Sequence, residues 1–397
     1  MDDKSIFSRH VVNISPAPST FGMLARVKEK ERRGERVIDM SIGEPDIDTP
    51  EPIKEAAMKA LRDGKTHYSP SAGIPELREA IAEFETKRKG VPISPGEVIV
   101  MPGGKPVLLY LLLALTDEGD EVIYFEPGWG SYRVMLEMLL VKSVPIRTTE
   151  AEGWRINTAE LAQRITERTR FIIINSPNNP TSAVASLADL EEIARIVQDH
   201  PRLLVLSDEV YSTLVYEGAQ HHSILSLPGM KERTVLMESL SKAFAMTGWR
   251  LGYGIFPEPM VKCVVNLISN TISCTNTFVQ YAGLAALTEA LPEIERLRAI
   301  FQARRDLLVK LLRDIRGITF VEPRGAFYAF VNIKGTGMSS EGFSDMLLEE
   351  HSVATVPGTS FGPSGEGYIR FSFATKLENI EEGIARFKKA VEGRSTL

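Results

Sequence analysis

The run F-I-I-I-N, Phe171–Asn175, sets four apolar residues in succession and closes on one polar residue. A strand that is apolar on both faces has to be covered on both. That is the condition of strands inside a parallel sheet with helices above and below it. The same texture recurs on either side. Short strand-like runs fall at Glu97–Met101, Glu121–Phe125, Lys142–Ile146, Leu203–Ser207 and Thr234–Met237, and helix-like segments stand among them at Pro106–Leu115, Trp129–Leu140 and Leu187–Gln198. Alternation of this kind predicts an α/β fold with a mostly parallel central sheet flanked by helices.

After about residue 285 the pattern changes. Pro292–Ile315 reads as one long charged helix. Strands at Thr319–Glu322 and Phe327–Val331, a helix at Ser340–His351, strands at Val353–Val356 and Tyr368–Ser372, and a last helix at Leu377–Val391 follow. Short pairs of strands and helices suggest a smaller α+β domain. A chain of 397 residues exceeds what one core usually holds. We therefore expect a large domain over 47–285, and a small domain made of 1–46 with 286–397. The N-terminal segment carries a helix around Ala25–Gly34 and one strand, which the sequence allows on either domain.

Lysine and arginine number 46 against 52 acids, a net charge of −6, which disfavours nucleic acid or an anionic membrane as the main partner. The two cysteines, Cys263 and Cys274, are too few for a disulfide framework and read as free thiols. The opening M-D-D-K-S-I-F-S-R-H has no apolar core of the leader type. The longest apolar run, Val107–Leu115, falls far short of the ~20 residues that span a bilayer. These features lead us to expect a soluble cytoplasmic protein.

Five stretches bear chemistry. M-P-G-G-K-P, Met101–Pro106, joins a strand to a helix. Its glycines expose backbone N–H groups, and Pro106 suits a first helical turn, so the helix end favours an anion. It is neither a Walker loop nor G-x-G-x-x-G, and a plain Gly-Gly turn has the same form. N-S-P-N-N-P-T-S, Asn175–Ser182, is a stiff polar turn at a strand's carboxyl end, where ligands of open α/β sheets sit. In L-S-D-E-V-Y, Asp208 stands one residue past an apolar run, so it is expected to be buried and paired with a cation; Glu209 reads as an exposed loop acid. Arg370 lies in the alternating strand G-Y-I-R-F-S-F, facing solvent or clamping a carboxylate. In E-P-G-W-G-S-Y, Trp129 either packs in the core or offers a stacking face. The six histidines show no metal-ligand spacing, and His221 and His222 read as an exposed loop.

A sixth stretch, S-L-S-K-A-F-A-M-T-G-W-R, puts Lys242 and Arg250 in a short link between two apolar runs. A lysine amine becomes an anchor and a base when it is held on an aldehyde cofactor. Pyridoxal phosphate requires such a lysine, an anion cradle, a carboxylate for its ring nitrogen, a donor for its ring oxygen and an aromatic face. The chain carries candidates for all five.

The sequence resembles the class I/II aminotransferases of fold-type I, the aspartate-aminotransferase-like superfamily, from about Ile14 to the last helix. The likeness rests, in order, on S-I-G-E-P-D-I-D-T-P (41–50), H-Y-S-P-S-A-G-I-P-E-L-R (67–78), G-G-K (103–105), N-S-P-N-N-P-T (175–181), S-D-E-V-Y (207–211), S-L-S-K-A-F-A-M-T-G-W-R-L-G-Y (239–253) and G-Y-I-R-F-S-F-A (367–374). The resemblance implies an aminotransferase with pyridoxal 5′-phosphate as cofactor. Lys242 would form its Schiff base and shuttle the proton between substrate and cofactor. Asp208 would pair with the ring nitrogen, Tyr211 and Asn179 would hydrogen-bond the ring oxygen, and Trp129 would stack on the ring. Gly103, Gly104, Lys105, Ser239 and Arg250 would line the phosphate site. Tyr68 would reach the phosphate of a neighbouring subunit, which implies a homodimer. Arg370 would clamp the substrate α-carboxylate with help from Gly43 and Asn179.

Two departures stand out. The family turn usually ends N-P-T-G, and Ser182 replaces that glycine, with strain expected if φ is positive there. Gly128 stands where a bulkier residue tends to precede the tryptophan in related aspartate enzymes, and a glycine there could widen the pocket or loosen it. Lys105 resembles a lysine that meets the distal carboxylate of dicarboxylic substrates, which favours aspartate or glutamate with 2-oxoglutarate. Aromatic or alanine-type donors are the alternative, and a C–S β-lyase on the same scaffold is another. A cofactor-sensing regulator would carry a basic helix-turn-helix segment, and none is seen before Ser41.

Overall fold

A computed structural model describes residues 6–15 and 20–393. Residues 1–5, part of the opening read above for a leader, lie outside them. Thirteen strands occur among the described residues. They are β1 (Ile38–Asp39), β2 (Val98–Met101), β3 (Glu121–Glu126), β4 (Lys142–Arg147), β5 (Thr169–Asn175), β6 (Leu204–Asp208) and β7 (Thr234–Ser239), then β8 (Gly252–Ile255), β9 (Thr319–Phe320), β10 (Tyr328–Asn332), β11 (Val353–Ala354), β12 (Val356–Pro357) and β13 (Tyr368–Ser372).

Seven strands form the central sheet in the order β2-β8-β7-β6-β5-β3-β4. All neighbours run parallel except β8, which is antiparallel to both β2 and β7. The apolar runs explain the centre. Phe171, Ile172, Ile173 and Ile174 of β5 are buried on both faces, as are Val205 and Leu206 of β6, because helices cover each side. Three parallel neighbours, β5, β6 and β7, end at Asn175, Asp208 and Ser239, so these polar residues emerge together at one edge of an otherwise apolar layer.

The later part of the chain builds a four-stranded antiparallel sheet, β12-β13-β10-β9. The N-terminal strand, whose packing the sequence left open, joins this part: β1 pairs in parallel with β11, and Met40 O accepts from Ser372 N. Ile38 and Met40 share a core with Phe371, Ile380 and Phe387. The strand read at Val353–Val356 divides into β11 and β12, which belong to different sheets. Among the described residues no helix is long and apolar enough to cross a membrane.

Two readings are corrected behind the central sheet. Glu209 is not an exposed loop acid; it is 1% exposed. Lys89 pairs with it, His221 Nε2 lies 2.8 Å from its Oε2, and Ser207 and Ser223 donate to its other oxygen. Burial works against its ionisation, but Lys89 and His221 more than offset this and hold the carboxyl well below the usual range. The His221 ring is therefore held against a buried carboxylate and does not stand free in an exposed loop. Removing one partner strands the other charge, so Lys89→Met is expected to cost about 3 kcal/mol or more, read from urea unfolding at pH 7.

Candidate active site

The ends of β5, β6 and β7 open into a cavity of about 510 Å³. Its walls come from three parts of the chain. The N-terminal segment supplies Phe21 and Gly43, the sheet edge supplies Asp208 and Lys242, and the antiparallel sheet supplies Tyr328 and Arg370. The volume is that of a small-molecule site.

Lys242 lies in the single helical turn Leu240–Ala243 that follows β7, with Ser239 as its N-cap. The turn keeps the lysine at the sheet edge, half-buried, where its Nζ donates to Gly43 O. Burial pushes its pKa down to about 8; Glu44 opposes the shift, and Arg250 and Arg370 assist it. Asp208, 3% exposed, accepts from the Tyr132 hydroxyl and from Val210 N at 3.4 Å. Among the described residues no cation pairs with it, contrary to the expected pairing, and burial raises its pKa to about 7 against the pull of those donors.

Arg370, 2% exposed on β13, donates to Asn179 Oδ1 at 2.9 Å and to Ser41 O. Its guanidinium lies 4.3 Å from the Tyr328 ring centre and 4.9 Å from that of Phe361, and its Nε has no partner. Among the described residues no carboxylate pairs directly with it; burial lowers its pKa, and Asp39 opposes this only from a distance. Tyr211 meets Tyr328 hydroxyl to hydroxyl at 2.8 Å. Asn179 is held by its own N–H on Asn175 Oδ1, 2.9 Å away.

On the opposite wall, Gly104 caps the helix Lys105–Leu115. Gly103 has φ +91°, and a Cβ there would lie 2.4 Å from Arg250 Nη2, so only glycine lets the guanidinium approach this helix end. Ser239 Oγ and Ser241 Oγ stand 2.8 Å apart beside it. Lys105 Nζ sits 4.9 Å over the Trp129 ring and 5.8 Å from that of Phe21, its pKa lowered by burial and by Arg250.

The structure thus brings Lys242, Asp208, Tyr211, Asn179, Gly104, Lys105, Trp129, Ser239, Arg250, Gly43 and Arg370 to one cavity, with Gly103 against Arg250. Tyr68 is not among them; it is 88% exposed on the outside of the chain. At Gly128 a Cβ would lie 2.4 Å from Phe125 O, so backbone packing calls for glycine at this position. Sequence reasoning missed Tyr132 and Tyr328. The first stands three residues after Trp129, and the second sits diagonally to Arg370 across β10 and β13, a neighbourhood only the strand register defines.

These groups fit pyridoxal phosphate. A buried carboxylate without a cation suits a protonated ring nitrogen, and a helix N-terminus with Arg250 suits a phosphate.

The chain agrees with the same class in comparison. The family model for aminotransferase class I and II matches residues 35–387. An aspartate aminotransferase of Pyrococcus abyssi is 42% identical over 384 residues, 96% of each chain. An aromatic-amino-acid aminotransferase of Thermococcus litoralis is 43% identical over 361 residues, 90% of this chain and 92% of its own. The structure of an aspartate aminotransferase from Thermus thermophilus with maleate superposes with a TM-score of 0.92 at 39% identity, covering 97% of this chain and 99% of its own. The chain belongs to the class I and II aminotransferases. It is a pyridoxal-phosphate-dependent transaminase of the fold-type I architecture, passing an amino group from an amino acid to a 2-oxo acid.

Proposed function

We propose that this aminotransferase favours dicarboxylic amino donors such as aspartate, with 2-oxoglutarate as acceptor, and works through Lys242. One observation carries the reading: the Lys242 amine stands in a cavity that also holds a buried carboxylate without a cation, Asp208, and a buried guanidinium without a carboxylate, Arg370. When bound, pyridoxal phosphate supplies an aldehyde carbon for the amino group and a ring that takes up the electron pair left at Cα. Lys242 would anchor it through its amine and, once free, would carry the proton from the substrate Cα. Asp208 would face the ring nitrogen, with Tyr132 orienting Asp208. Tyr211 and Asn179 would hold the ring oxygen, and Trp129 would pack on the ring. The Gly103–Gly104 helix end, Lys105, Ser239 and Arg250 would receive the phosphate. Arg370, braced by Asn179 and Ser41, takes the α-carboxylate beside Gly43.

Residues 47–285 serve as the large domain, and 1–46 with 286–397 as the small one. The enzyme acts as a cytoplasmic homodimer, with the exposed Tyr68 reaching the other subunit's phosphate.

Lys105 supports the dicarboxylic preference, since it offers a second ammonium in the same cavity, and relatives named for aspartate fit it. The half-reaction screen tests the whole reading: each amino acid is added to the holoenzyme while the cofactor absorbance is followed, and no response to any donor refutes it. For Lys105→Ala we expect kcat/KM for aspartate to fall about 10–100-fold further than that for phenylalanine, which loses only the phosphate contact. An equal loss for both assigns Lys105 to the phosphate alone. The Trp129 and Phe21 rings beside the Lys105 amine favour aromatic donors as the second reading, as does the relative named for aromatic amino acids.

A further inference from the structure

Ser182 ends the turn Asn175–Ser182 in the left-handed conformation that favours glycine, with φ +58°. A serine is disfavoured there. The side chain is fully buried, and its use is specific. The hydroxyl donates to Tyr328 O at 2.8 Å and accepts from Tyr328 N at 3.2 Å. Those two groups belong to the first residue of β10, at a point that β9, which pairs only with Val331 and Asn332, does not reach. One hydroxyl stands in for a missing strand. The Ser182 carbonyl also accepts from Arg324 N and Gly325 N, each at 3.1 Å, so the approach to β10 is tied to the same residue.

Tyr328 touches three parts of the site. Its hydroxyl meets that of Tyr211 at 2.8 Å. Its ring lies under the Arg370 guanidinium at 4.3 Å. Its Oη lies so near Gly43 that a Cβ there would be 2.1 Å away. Ser182 shares its turn with Asn179, which bonds Arg370 from the other side.

We propose that Ser182 is a positioning residue: by holding both main-chain groups of Tyr328 it fixes the Tyr328–Tyr211 hydrogen bond and the seat of Arg370. The inference rests on the assignment of Tyr211 to the cofactor ring oxygen. A Tyr211 hydroxyl supported by Tyr328 is the stronger donor to that oxygen. It therefore favours the deprotonated form of the lysine-bound cofactor.

The test uses Ser182→Gly, which suits the positive φ and so keeps the fold. In the holoenzyme, we expect the pH midpoint of the cofactor absorbance to rise by about 0.5 unit. KM for the amino donor should rise about fivefold with kcat within about twofold, and Tm should stay within about 3 °C. In a Tyr328→Phe background the same substitution should no longer move the midpoint. Tyr211→Phe separates the two levels, since it should raise the midpoint by more than one unit. If it does not, the ring-oxygen assignment fails and this inference with it. If Tyr211→Phe moves the midpoint but Ser182→Gly changes only Tm, or moves the midpoint equally with and without the Tyr328 hydroxyl, Ser182 is a structural residue only and the proposal is overturned.

Discussion

Lys242→Ala is expected to lower the rate of amino transfer by about 10⁴-fold or more, with every donor alike. The size follows from two tasks falling on one amine. The first is anchoring. Burial brings its pKa down to about 8, so near neutral pH a usable fraction is uncharged and nucleophilic. The second is proton transfer, for which a base with a pKa near the working pH is best. The other amine lining the cavity, Lys105, is held over the Trp129 ring and does not replace it. Lys242→Arg should be as poor, because a guanidinium keeps the charge but does not deprotonate. Steady-state rates with aspartate and phenylalanine check this. A variant within tenfold of the wild type assigns the chemistry to another group.

Asp208→Asn is expected to lower kcat about 10³-fold, and at the same time to stabilise the protein without its cofactor. The two signs have one cause. Asp208 is buried at the end of β6 with only Tyr132 and Val210 as donors, so its charge is unmatched until a cationic ring nitrogen arrives. Its carboxyl titrates at about 7 in the folded chain, against roughly 4 when unfolded. Between these values the folded state holds more protons than the unfolded one. Asp208 therefore costs nothing at low pH, costs progressively more as pH rises from about 4 to about 7, and keeps the full cost above that. Asparagine still accepts from Tyr132 and removes the cost. The cofactor-free variant should melt about 2 °C or more above the cofactor-free wild type at pH 8, with no gain at pH 4. A variant that melts lower at pH 8 would show that the carboxylate is satisfied within the protein.

The central sheet was legible because β5, β6 and β7 are apolar on both faces, a local property of each run. Lys242, Asp208 and Arg370 were legible because each is a charge set against or within such a run. What escaped the sequence depended on partners far along the chain. Glu209 looks like any loop acid until Lys89, 120 residues earlier, is brought beside it. Tyr132 and Tyr328 are ordinary aromatic residues in sequence, and only the packing of the sheet ends makes them neighbours of Asp208 and Arg370. Val353–Val356 reads as one strand because local pattern does not say which sheet each half joins. Ser182 was expected to be strained, and its φ is positive; the two bonds to Tyr328 that offset this cross 146 residues.

The chemistry of the site depends on where the cofactor is attached. Borohydride reduction of the holoenzyme, digestion and peptide mass analysis would locate it. The prediction is one phosphopyridoxyl group on the peptide that carries Lys242 and none elsewhere. A label on Lys105 or another lysine, or no label at all on protein that holds the cofactor, would contradict it.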